Sequence, residues 1–205
     1  MEKHKLIHDR QYGFRQQRST ADLLAFVGHH WNRSLEFHGE SQVVALDISK
    51  AFDQVWHAAL LNKLPSYGLS PKLCAWIGGF LFNRRISVVV DGQSSNFHPI
   101  NGGVPQGSVL TPTLFILYIN DLLSAITNPI HSYADDSTLH SNIQSPQLVS
   151  MLELDDERRS MHMSLSKDLQ IILDWGTKNL VQFNAFKTQP SSLSHKSPSI
   201  FTPFL

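Results

Sequence analysis

Ile130-His131-Ser132-Tyr133-Ala134-Asp135-Asp136-Ser137-Thr138-Leu139-His140 is the stretch on which the fold turns. Ile130–Tyr133 and Ser137–His140 read as two short strands, with Ala134-Asp135-Asp136 as a tight turn between them. Adjacent acids repel one another unless water, protons or cations intervene. Consecutive strand side chains point to opposite faces, so a regular strand aims only one acid at a given target; a turn relaxes that rule. Such a pair either sits in solvent or meets a cation, and the rest of the chain has to decide which.

Working outward, the short apolar run Val43-Val44-Ala45-Leu46 ends at Asp47 and reads as a buried strand delivering a carboxylate at its C-terminal end. Three such acids make a hard, oxygen-lined site suited to two Mg²⁺ ions about 3.5–4 Å apart, which stabilise the attacking and leaving oxygens of an in-line phosphoryl displacement. Spacing alone leaves the solvated turn as an equal alternative.

The remaining elements follow from periodicity. Ser19-Thr20-Ala21-Asp22 opens a helix whose apolar face is Leu23, Leu24, Val27, Trp31 and Leu35. Leu60, Leu61 and Leu64 predict a short helix closed by Gly68, and Pro71 opens another through Leu73, Trp76, Ile77 and Phe80, with Trp76 in the core. Arg85–Val90 is expected as one strand before an Asp91-Gly92 hairpin turn. Asn101–Ser108 is a Gly/Pro loop, and Leu110, Leu114, Leu117, Tyr118 and Leu122 trace a helix after it. Residues 147–178 are helix-compatible, with Leu165, Leu169, Ile172 and Trp175 on one stripe and the charge run Glu153–Arg159 on a solvated face. Val181–Phe183 is expected as a final strand, and 190–205 as a Ser/Pro-rich tail without regular structure.

Composition excludes some functions. Lys plus Arg (17) balances Asp plus Glu (17), so the net charge offers no general attraction to phosphate. The basic excess falls before residue 34 and the acidic excess between 34 and 136, which fits phosphate held at one end and metal in the middle. The single Cys74 leaves neither an internal disulfide nor a multi-cysteine zinc site, and no disulfide-linked partner is expected. No apolar run approaches the roughly 20 residues of a membrane span. His29-His30 lies on a predicted helix, where adjacent residues face apart, and gives no zinc site.

Five stretches, in order, resemble the boxes of reverse transcriptases. Tyr133-Ala134-Asp135-Asp136 resembles motif C, and Ala45-Leu46-Asp47-Ile48-Ser49-Lys50-Ala51-Phe52-Asp53 resembles motif A of retrotransposons without long terminal repeats. Gly103–Pro112, continued by Tyr118-Ile119-Asn120-Asp121-Leu122, resembles motif B. Gln11-Tyr12-Gly13-Phe14-Arg15 with Arg18-Ser19-Thr20 is similar to motif 2, and Trp175, Phe183-Asn184 and Lys187-Thr188 to motif D. The flavour is that of a jockey- or CR1-like LINE polymerase, and the likeness covers roughly residues 10–189.

The resemblance implies an α+β right-hand polymerase palm with partial fingers, a small antiparallel sheet packed on helices. It implies an RNA-directed DNA polymerase, a nucleotidyltransferase that adds dNTP to a primer 3′-hydroxyl on an RNA template with two Mg²⁺, Mn²⁺ being a substitute. Asp47, Asp135 and Asp136 become catalytic metal ligands, and the Ile48 carbonyl an extra ligand. Phe52 would lie against the sugar and favour dNTP, Arg15 would pair with the triphosphate, Gln106 would lie near the templating base, and Lys187 would assist the leaving pyrophosphate. Read without the family, these four are a core aromatic, a surface arginine, a turn residue and a solvated lysine. Asp53 and Asp121 are expected to be structural, through caps or local hydrogen bonds.

The implied organisation is 1–40 partial fingers, 41–189 palm and 190–205 tail, a chain truncated at both ends that lacks the family's thumb. Two departures stand out: a long stretch between Leu139 and Trp175, and Phe186 where a small or polar residue is commoner. The alternative is a catalytically silent palm remnant with at most nucleic-acid or protein binding. Retrotransposition by this route implies nuclear access, although no basic import cluster is visible.

Overall fold

The computed structural model describes residues 6–143 and 151–194. The N-terminal turns lead into α1 (Thr20–His38). Ser19 caps it reciprocally with Asp22, and Gly39, at φ 78°, ends it. Then come β1 (Glu40–Leu46), a 3-10 turn (Ala51–Gln54), α2 (His57–Lys63), a second 3-10 turn (Leu64–Tyr67) closed by Gly68, and α3 (Pro71–Leu81). A small arm follows: β2 (Arg84–Ile86), β3 (Val89–Val90), β4 (Gln93–Ser94) and β5 (His98–Ile100). The chain continues through α4 (Thr111–Ala125), β6 (Ile130–Tyr133), β7 (Asp136–Asn142), α5 (Met151–Asn179) and β8 (Gln189–Ser194).

The main sheet runs β6-β7-β1-β8, antiparallel throughout. On one face Val44, Leu46, Ile130 and Leu139 join Leu114, Phe115 and Leu117 of α4 and Leu165, Leu169 and Ile172 of α5 in a single core. On the other face α1 sets Phe26 4.8 Å from the ring of His131, which stacks on His140 at 5.6 Å. Covering both faces explains why β1 is buried along nearly its whole length. Lys63 ties three helices together. Its Nζ donates to the Tyr118 carbonyl and to Asp121 Oδ1 (2.8 Å each), and lies over the rings of Tyr118 and Trp175. Trp175 Nε1 donates to the same Asp121 oxygen, so Asp121 is structural, as expected, but through a tertiary network.

Several expectations are corrected. Gln189–Ser194 is a strand, not the start of an irregular tail: it pairs with β1 from Glu40↔Ser194 to Ala45↔Gln189, and Gln42 Nε2 donates to Ser192 Oγ at 2.9 Å. Its residues have little strand propensity; the buried second edge of β1, whose backbone groups need partners, recruits them. Residues 195–205 of the expected tail, and 147–150 of the expected helix, lie outside the described residues. Val181–Phe183 is not a strand. Leu180 (φ 56°) reverses the chain at the end of α5, leaving only a bridge between Ile48 and Phe183. The expected strand Arg85–Val90 breaks at Ser87 and Val88. Its halves pair separately, β2 with β5 and β3 with β4, the latter around Asp91 and Gly92, both at positive φ. Trp76 is 57% exposed and stacks on Phe80 rather than entering the core. Within the charge run, Arg158 is no solvated bystander, since its guanidinium grips the buried Glu40 through Nε (2.9 Å) and Nη2 (2.8 Å).

Candidate active site

The end of β1 and the β6–β7 turn meet by register. The last β1–β7 pair is Leu46↔Ser137, so Asp47 lies one step beyond it, alongside Asp136, and the hairpin closes at Tyr133↔Asp136 around Ala134 and Asp135. Asp47 and Asp135 line one cavity of about 500 Å³, together with Ile48, the 49–53 turn, Gln106, Asn184 and Lys187. The Asp136 carboxyl is held above its ordinary value, first by burial, then by the charges of Asp135 and Asp47, with Lys187 opposing. Asp135 and Asp47 thus both act on Asp136. Among the described residues, no three His, Cys, Asp or Glu side chains stand grouped so as to hold a metal ion. Counter-charge comes instead from Lys187, whose Nζ sits 3.2 Å from Asp47 Oδ1.

Lys187 reaches that position through a local turn. Asn184 donates its backbone N–H to the Asp47 carbonyl (2.9 Å), while its side-chain Oδ1 accepts from the backbone of Phe186 and Lys187. Phe186 itself is 99% exposed and does not obstruct the turn.

The glycine-rich loop is clamped onto the segment after Asp47. Gly103 N–H donates to the Val55 carbonyl and Val104 N–H to the Phe52 carbonyl, at 2.8 Å each. His57 Nε2 lies 2.7 Å from the Gly103 carbonyl. Gly103 has φ 81°, and a Cβ there would stand 3.0 Å from both Cα and O of Asp53, so this close approach requires glycine. The clamp brings Gln106 to the cavity, where its Nε2 donates to Asp53 Oδ1 at 3.2 Å. Asp53 thus holds Gln106 rather than capping its own turn. Phe52 packs against Phe115 with its ring tilted (centroids 4.8 Å, 42°) and lines both this cavity and a neighbouring one lined by Gly107, Ser108, Val109, Thr111 and Pro112.

Arg15 is elsewhere. Its Nη1 donates to the carbonyls of His8 (3.0 Å) and Gln11 (3.1 Å), and the residue does not line the cavity. An arginine spent on backbone carbonyls locks a loop. The structure thus brings together Asp47, Ile48, Phe52, Gln106, Asp135 and Lys187, keeps Asp136 within electrostatic reach, and leaves Arg15 outside. Sequence reasoning gave no role to Gln11, Asn184 or His57, and only a general structural one to Asp53. Asn184, an Asx residue three before Lys187, was the one of these with a readable local signal.

An acid at the end of a central strand, facing an acid hairpin under a glycine-rich loop, defines the palm of a right-hand polymerase. Over residues 1–200 the sequence matches the family "Reverse transcriptase (RNA-dependent DNA polymerase)", and the chain belongs to that family. It is 35% identical over 185 residues to the RNA-directed DNA polymerase from mobile element jockey of Drosophila funebris, covering 86% of this chain and 19% of that protein. It is 31% identical over 155 residues to the probable RNA-directed DNA polymerase from transposon BS of Drosophila melanogaster, covering 68% of this chain and 16% of that protein. The chain thus spans about a fifth of the length of the curated relatives it matches. Among solved structures, telomerase from Candida tropicalis in complex with a fragment of telomeric RNA superposes with TM-score 0.62 at 13% identity, over 96% of this chain and 32% of that one. That likeness shows the fold.

Proposed function

We propose that this chain is the catalytic palm of a retrotransposon's RNA-directed DNA polymerase, joining a dNTP to a primer 3′-hydroxyl on an RNA template. The observation that carries the reading is that Asp47, just past the end of β1, and Asp135, in the β6–β7 turn, open into the cavity that also receives Phe52, Gln106 and Lys187. The donor set suits Mg²⁺: the acids are hard oxygen ligands that repel one another, and a cationic Lys187 already sits against Asp47. Asp47, Asp135 and Asp136 would hold the ions, with the Ile48 carbonyl as a further oxygen. Bound there, two Mg²⁺ would lower the pKa of the attacking hydroxyl and offset charge on the leaving oxygen.

The chain's own residues do the rest. Phe52, braced by Phe115, presents a rigid wall to the sugar of the incoming nucleotide. Gln106, steered by Asp53, stands over the base side of the cavity. The primer 3′-hydroxyl gives its proton to solvent as its oxygen attacks the α-phosphorus, the bond from that phosphorus to the α–β bridging oxygen breaks, and Lys187 meets the negative charge of departing pyrophosphate. Lys187 must release Asp47 to do so, and its 66% exposure leaves it room to swing. Because template and primer are held through their backbones, binding should weaken as salt rises. Primer extension on poly(rA)/oligo(dT) with Mg²⁺ tests the reading against Asp135→Ala. Extension by the natural chain and none by the variant supports it; equal signal from both leaves a folded palm without chemistry.

A further inference from the structure

We propose that Gln11 is a positioning residue that clasps the Ala134–Asp135 turn and so sets the acids for cation binding; the inference rests on the polymerase reading above. Residues 10–12 run beside β6: Tyr12 N–H donates to the Ser132 carbonyl (2.8 Å), and Ser132 N–H to the Arg10 carbonyl (2.9 Å). Gln11 is completely buried. Its Oε1 accepts from the N–H of Ala134 (3.0 Å) and of Gly13 (2.8 Å), while its Nε2 donates to the Ala134 carbonyl (3.2 Å). One side chain thus holds both backbone polar groups of the residue preceding Asp135.

That residue needs holding. Ala134 has φ 59°, a conformation that favours glycine and persists in other residues only when the surroundings impose it. Gly13 presses from the same side: a Cβ on it would fall 2.3 Å from Ala134 N, so only glycine lets the segment seat against the turn. A buried amide must find partners somewhere. Here all of them lie within the clasp, next to Asp135, and not in the core. The segment assigned to fingers is therefore part of the site's foundation. Partners that orient metal-binding groups commonly contribute about 10–100-fold in metal affinity.

The test uses the full chain and Mn²⁺, with free ion read by electron paramagnetic resonance and backbone amides by hydrogen exchange. Gln11→Met keeps length and bulk but offers neither of the amide's hydrogen-bonding groups. It should weaken Mn²⁺ binding by about 10-fold and speed exchange at the Ala134 amide, while amides of the β1–β7 pairing stay protected. The core control Ile172→Val should lower the melting temperature and leave Mn²⁺ affinity alone. Natural Mn²⁺ affinity in Gln11→Met, or an equal loss in the control, overturns the proposal. Should Gln11→Met not fold, the unaltered chain decides. Its Ala134 amide must be protected, and more so with Mn²⁺; exchange at the rate of an exposed turn overturns the clasp. Asp135→Asn separates the two readings. If it binds Mn²⁺ as the natural chain does, the metal site fails and the clasp loses its purpose; if it alone loses binding, only the clasp fails.

Discussion

At the scale of single residues, the site is held in shape by contacts among the protein's own side chains. Lys187 is the cation that satisfies Asp47 in the protein by itself. Lys187→Ala should therefore tighten Mn²⁺ binding about 2–5-fold, by removing a competitor worth roughly 0.5–1 kcal/mol at an exposed pair, while slowing nucleotide addition. Titration of both proteins with Mn²⁺ checks the first effect and single-turnover extension the second; weaker binding in the variant would contradict the competition. Gly103→Ala places a methyl 3.0 Å from Asp53 backbone at φ 81°. The expected cost is about 1–3 kcal/mol, read by urea unfolding, with extension lost beyond that because Gln106 leaves the cavity.

Among the elements, two predictions concern α5. It ends in a Schellman turn, with Val181 N–H to the Gly176 carbonyl and Leu180 N–H to the Thr177 carbonyl, but the left-handed position is Leu180, 63% exposed. Leu180→Gly should stabilise the fold by about 0.5–1 kcal/mol, measured as a shift in urea midpoint; a loss would mean that its side chain packs against a neighbour. Arg158→Ala strips the guanidinium from buried Glu40 and should cost about 3 kcal/mol. The same elements show what sequence alone discloses. The acid hairpin, β1 with Asp47 at its end, and the helices with caps were readable, because each carries a local signal: alternation, an Asx or Ser cap, a closing glycine. β8 was not, because Gln189–Ser194 gains its conformation from the edge of β1, 144 to 154 residues away in the chain, from Ala45↔Gln189 to Glu40↔Ser194. Gln11 and the Lys187–Asp47 contact were invisible for the same reason, since neither has a local pattern. For Arg15, a motif fixes which residue is present, not which carbonyls it finds after folding.

For the whole molecule, the sheet's two faces respond differently to pH. The α4–α5 face is apolar, whereas the α1 face buries His131 and His140, each pushed down to about 4 by burial first, and then by neighbouring His30 and Arg10 and, for His140, by His131. Both must stay neutral to remain inside. Between pH 6.5 and about 4 the unfolded chain binds the protons that the folded chain refuses, so stability is full above that window and falls as pH drops through it. Melting temperatures at pH 8, 6 and 5 should decline accordingly, and a His131→Gln/His140→Gln double variant should flatten the decline. No helix among the described residues is long and apolar enough to cross a membrane.

The central claim is that Asp47 and the Asp135–Asp136 turn share bound divalent ions. Fe²⁺ with ascorbate and peroxide, which cuts backbone beside the bound metal, tests it most directly on the intact chain. Paired cuts next to residues 47 and 135, suppressed together by excess Mg²⁺ and absent from Asp135→Asn, are the expected result. Cuts at one location only, or a pattern unchanged by Mg²⁺, would contradict it.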